Sequence, residues 1–284
     1  MPPSIIKRLE HLDDLPPMPN TMHMVLQEME SISSNSKSLE KIIMQDPMLA
    51  AKILKIANSP LYGVAGQVNS ISHAVTILGF DEVKNLIIGL SLIQAFGEGG
   101  NFDGFSIRDL WLHSIGVATA SMLIAKRAGN GFSPDECFTM GLLHDIGRFI
   151  LCKAFAEEVK KILKLQEEKR QPLSVVEEEQ GLSHSEVGAY LAQRWKLSEQ
   201  TTSVVRYHHR PRSAGEDEPC CAVVYLADQL CHKLSIGWSS KWLPKGIMLP
   251  KSLSLKKDDV QELAREIKSK KDDLAESWAS VMGG

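Results

Sequence analysis

Residues 141–148 read GLLHDIGR, and at their centre His144 and Asp145 put an imidazole beside a carboxylate in an apolar helical setting. Successive helical side chains are about 100° apart, so a metal ion in the notch between these two can take both. Imidazole nitrogen with carboxylate oxygen is a donor mixture that suits borderline divalent metals. Arg148 lies about one turn further on, where it can steady a phosphate or pair with Asp145.

The same residue types recur on both sides of this stretch. Upstream, IRDLWLHS (residues 107–114) places Asp109 and His113 four apart, on one helical face. Downstream come His184 in LSHSEVGAYLAQRW (182–195), His208 and His209 in RYHHRP (206–211) and Asp228 in YLADQL (225–230). A lone buried histidine usually just finds a hydrogen-bond partner. This ordered series of histidines and carboxylates points instead to a metal centre.

Local chemistry predicts helices throughout. Leu15-Pro16-Pro17-Met18-Pro19 is a turn, after which Met22, Val25, Leu26 and Met29 form one apolar stripe from about Asn20. Ser38 is expected to cap a short helix, and Asp46-Pro47 to open another that ends near Asn58. Ser70 or Ser72 starts a helix closed by Gly79, and Asp81 restarts the chain. This pair has the outline of a helix-turn-helix, but its second member offers Lys84 as sole cation, so no nucleic-acid partner is expected. Ser133-Pro134-Asp135-Glu136 and Ser183 to Glu186 both carry the capping-box spacing. No segment alternates with period two, and the fold class read from the chain is all-α. The glycines at 97, 99 and 100 mark a linker, giving an N-terminal helical lobe (1–97), a second helical lobe packed with it (98–240), and a surface segment with a charged amphipathic helix (241–284).

A chain of 284 residues with 43% hydrophobic and 24% charged residues is built to fold around a sizeable core. Its net charge of −3 provides no global field for nucleic acid. The apolar run Leu86 to Phe96 is too short to span a bilayer, the N-terminus does not read as a secretory signal, and five cysteines without a CxxC pair fit reduced thiols. A cytoplasmic protein with no membrane partner is the expectation.

The order Asp109, His113, His144-Asp145, His184, His208-His209, Asp228 resembles the ligand order of HD-domain phosphohydrolases, particularly the HD-GYP subgroup, over residues 105–235. That resemblance implies all eight as metal ligands, one or two divalent ions, commonly iron or manganese, and catalytic roles for Asp145 and Arg148. The opening LPPMP, Asp46-Pro47, LKIANSPLYG (54–63) and ISHAVTILGFDEVKNL (71–86) are similar to the signature of the HDOD family of HD-related regulatory domains. A Gly-Tyr-Pro element follows the paired histidines in HD-GYP enzymes, whereas here the chain continues RPRSAGE (210–216), which argues against their cyclic dinucleotide substrate. Three readings stay open. The chain is a metal-binding regulatory module acting through a signalling partner, or a metal-dependent phosphohydrolase taking a phosphorylated nucleotide, or a helical protein whose histidines merely pack. His11, His23, His73 and Asp46 form no ligand-like cluster, so the first lobe is expected to supply a regulatory or partner surface and no chemistry.

Overall fold

A computed structural model describes residues 3–10, 15–29, 35–97, 100–102, 105–129, 131–240, 242–243 and 246–282. Among them the architecture is helical, apart from a two-residue antiparallel pairing of Asn101–Phe102 with Phe105–Ser106. No helix among the described residues is long and apolar enough to cross a membrane.

The chain divides into two compact units, residues 1–15 with 100–268, and 16–99 with 269–284. The sequence division instead placed residues 1–97 in one lobe, 98–240 in a second and 241–284 in a C-terminal segment of the same fold. Helix α1 (Pro3–Glu10) belongs with the later residues because Leu9 is fully buried and Arg8 lies 4.2 Å over the Phe155 ring while pairing with Glu158.

The smaller unit holds α2 (Asn20–Met29), α3 (Ser36–Ile43), α4 (Pro47–Ala57), α5 (Ile71–Leu78) and α6 (Phe80–Phe96). Of the expected α2 stripe, Met22 and Val25 are buried; the Met29 side chain and His11 lie outside the described residues. Asp46 caps α4 as expected, its carboxylate accepting from the Met48 and Leu49 amides. Helix α3 is capped one turn earlier than expected, by Asn35, and Ser38 closes the reciprocal capping box from inside the helix. Asn58 ends α4 and clamps the following loop, donating to the carbonyls of Leu54 and Val68 and accepting from the Val68 amide, each at 2.8 Å. Lys84 is buried and paired with Asp81 at 2.9 Å.

The larger unit continues with α7 (Ile107–Ala128), α8 (Pro134–Leu143), α9 (Ile146–Ala154), α10 (Ala156–Lys169), α11 (Leu173–Glu179), α12 (His184–Arg194), α13 (Glu199–Tyr207) and α14 (Glu218–Leu234). Val117, Ile124, Met140, Val204, Leu226 and Leu230 join one apolar core between α7, α8, α13 and α14. Ser133 caps α8 by accepting from the Glu136 amide, whereas Ser183 makes no such bond at α12, where Glu177 accepts from the His184 amide instead. The last helix, α15 (Lys257–Ala279), is not a surface appendage: Leu263 and Ile267 are buried in the larger unit, and Leu274 and Trp278 are buried in the smaller.

Candidate metal centre

The candidate ligands sit on the helices of the larger unit, five of them at or beside helix ends. His113 faces inward from α7; His144 and Asp145 form the junction of α8 and α9; His184 opens α12; His208 and His209 follow α13; Asp228 lies within α14. Two close approaches make this possible. A Cβ on Gly147 would stand 2.0 Å from the His184 carbonyl oxygen, so glycine lets α9 lie directly against α12. After α14, Gly237 (φ +63) passes within contact of α7, where a Cβ would stand 2.3 Å from the His113 amide.

The hydrogen bonds fix which nitrogen of each ring faces inward. His144 Nδ1 is 2.7 Å from the Gly141 carbonyl, and His208 Nδ1 is 2.8 Å from the Val205 carbonyl. His184 Nδ1 bonds the Glu177 carboxylate. A carbonyl or carboxylate can only accept, so each Nδ1 donates and Nε2 is the nitrogen turned to the interior. His184 Nε2 lies 3.2 Å from His208 Nε2 and 3.1 Å from His209 Nε2. It also lies 3.1 Å from Asp145 Oδ1. His144 Nε2 is buried with no hydrogen-bond partner among the described residues. Lone pairs brought so close in a buried site call for a cation between them.

Arg148 is buried and engaged. Nε donates to Asp145 Oδ2 at 2.9 Å, Nη1 donates to Glu177 Oε1 at 2.6 Å, and the guanidinium stands 4.8 Å over the Trp238 ring. It is placed to hold two carboxylates rather than to meet a phosphate unaided.

Burial alone would raise Asp145, but Arg148, His144 and His184 outweigh it and hold the carboxyl well below its usual range. Asp228 is likewise held down, against burial, chiefly by His232 and His113. Burial, with His144 and His184 beside it, pushes His208 down to about 3, and burial with His208 pushes His209 well below its ordinary value. His184 moves the other way. Burial and Arg148 disfavour its charge, yet Glu177 and Asp145 prevail, and its affinity for a proton is raised. His208 and His209 are therefore held neutral and Asp145 and Asp228 ionised, with the attraction for positive charge centred on His184.

Three groups of donors lie within 4.8 Å of one another: His184, His208 and His209; His113, His144 and Asp145; and His113, Asp228 and His232. Seven of the eight expected ligands thus converge. Asp109 does not. It is exposed in the first turn of α7, with its amide bonded to Ser106 Oγ and its carbonyl accepting from the Trp238 amide at 2.8 Å. Asp109 shares a helical face with His113, but it is exposed whereas His113 is fully buried, so the two do not meet at one point. The sequence reading missed two buried members, Glu177 and His232. The latter stands four residues after Asp228, the spacing that could have revealed it.

A pocket of about 340 Å³ adjoins the centre, with Arg148, His209, Asp228 and His232 on one side and Leu173, Trp238, Leu243 and Ile247 among its apolar walls.

Comparison with known proteins places these observations in a family. The HDOD domain model matches residues 15–211. An HDOD domain protein of unknown function from Geobacter sulfurreducens is 26% identical, superposes with a TM-score of 0.83, and is matched over 98% of this chain and 99% of its own. A candidate signal transduction protein from Marinobacter aquaeolei VT8 is 25% identical with a TM-score of 0.82, over 98% of this chain and 64% of its own. An uncharacterized protein from Treponema pallidum (strain Nichols) is 24% identical over 241 residues, 84% of this chain but 46% of that protein, so the chain spans about half of its length. With a family model covering well over half its residues, and an all-helical fold matched end to end by an HDOD protein, the chain belongs to the HDOD domain family.

Proposed function

We propose that this chain is an HDOD-type regulatory module whose larger unit holds a mono- or binuclear centre of divalent iron or manganese, acting through a signalling protein partner. The observation that carries this reading is the arrangement of His144, His184 and His208, each with Nδ1 committed to an acceptor and Nε2 turned inward. One ion would be held by His113, His144, Asp145 and Asp228, and a second by His184, His208 and His209. The HDOD resemblance and the Marinobacter protein's description support the signalling role.

The pocket favours a second reading, a metal-dependent phosphohydrolase. A bound ion would then supply Lewis acidity toward a phosphoryl oxygen. Asp145 would be the carboxylate at the reacting centre, and Arg148 would position Asp145 and Glu177. A phosphorylated nucleotide is the ligand class this reading expects.

The test is elemental analysis of protein reconstituted anaerobically with Fe²⁺ or Mn²⁺ and desalted, beside a phosphoester panel. One or two equivalents are expected. Less than a tenth of an equivalent would sink the metal reading, and turnover that needs the metal would select the hydrolase over the regulatory module.

A further inference from the structure

We propose that His232 is a metal ligand, forming with His113 and Asp228 a two-histidine, one-carboxylate subsite that opens on the pocket. The inference rests on the metal-binding reading above and extends it to a residue that none of the sequence motifs supplies.

Asp228 and His232 are four apart on α14 and so share a helical face. His113 Nε2 stands 3.0 Å from Asp228 Oδ1, and His232 Nε2 stands 3.1 Å from the same oxygen. All three residues are buried, and the two rings stack with centroids 4.5 Å apart. The other nitrogen of His113 is 3.3 Å from the Ile236 carbonyl. A neutral ring that gives its single proton to that carbonyl presents a bare Nε2 to a carboxylate oxygen, and a cation between them resolves the conflict.

His113 has one inward nitrogen and can serve one ion, so the ion assigned above to His113 and Asp228 is the one that His232 joins. The His113 ring centroid lies closer to His232, at 4.5 Å, than to His144, at 5.5 Å. Asp228 and His232 line the pocket, so an ion held here keeps coordination positions toward a ligand entering it. Two imidazoles and a carboxylate with open positions are donors suited to Fe²⁺.

The experiment uses the full chain, stripped of metal and reloaded anaerobically. Iron is counted after desalting, and a parallel Co²⁺ loading reports the ligands through its visible absorption. His232→Gln is expected to bind one equivalent fewer than wild type and to lose the corresponding part of the cobalt spectrum, with helical circular dichroism unchanged. His232→Asp, which restores a ligand of another type, is expected to regain the ion with a shifted spectrum. His23→Gln, an exposed change in the other unit, keeps full occupancy. Wild-type iron and an unaltered cobalt spectrum in folded His232→Gln, or in His232→Asp should the first variant not fold, would overturn the inference alone. A wild-type protein that takes no metal would overturn the metal reading beneath it.

Discussion

Asp145 touches three members of the centre closely: Arg148 at 2.9 Å, His184 at 3.1 Å and His144 at 3.5 Å. Asp145→Ala removes the negative charge that compensates an ion while leaving the imidazoles in place. It is expected to lower metal content to less than half that of wild type, with the fold retained; full content in the folded variant would make Asp145 a structural partner of Arg148. At this scale the histidine series was legible because ligand chemistry confines the residue types, and His-Asp or His-His dipeptides stand out in a chain. Glu177 was not legible, since nothing local separates it from Glu178 and Glu179 in LSVVEEE. Its role depends on α11 meeting Arg148 and His184, which are 29 residues back and 7 residues on. Asp109 misled for the opposite reason, because helical phase is readable in a sequence and which turn of the face is buried is not.

Helix ends decide the geometry. Asp46 and Ser133 cap their helices as the sequence indicates, because a cap is a contact between near neighbours. Ser183 makes no such bond at α12, where the amide of the first residue, His184, is taken by Glu177 from another helix. Gly147 is the clearest constraint at this scale. Gly147→Ala must push α9 away from α12, since its Cβ would meet backbone at 2.0 Å and 2.7 Å. A loss of about 1–3 kcal/mol in urea unfolding, the ordinary cost of overpacking, is expected. An unchanged midpoint would mean that the two helices do not pack as tightly as described.

For the molecule as a whole, the all-helical fold was readable from caps and periodicity, whereas the assignment of α1 and the end of α15 to units distant in sequence was not, because such packing leaves no local mark. The protonation chemistry also acts at this scale. In metal-free protein, His113, His208 and His209 bind a proton less readily when folded than when unfolded. Their penalty is absent above the ordinary imidazole value, about 6.5. It grows as pH falls toward the folded His208 value of about 3, because the unfolded chain takes up protons that the folded one refuses. His184 opposes this, and the depressed Asp145, Asp228 and Glu177 add their own loss only below about pH 4. The melting temperature of chelated protein is expected to be lower at pH 5 than at pH 7.5 by at least about 2–4 °C, the shift that about 1 kcal/mol produces in a chain of this size class. An equal or higher value at pH 5 would mean that these rings are not neutral in the folded state.

His144 and His208 each donate to the carbonyl three residues back, at the ends of α8 and α13. Each ring is thereby stapled to the frame of its own helix and cannot swivel without breaking that bond. An ion bound as proposed would meet nitrogens already aimed, and its capture would need no slow rearrangement of the chain. Its speed would then be set by how quickly the ion sheds its own water.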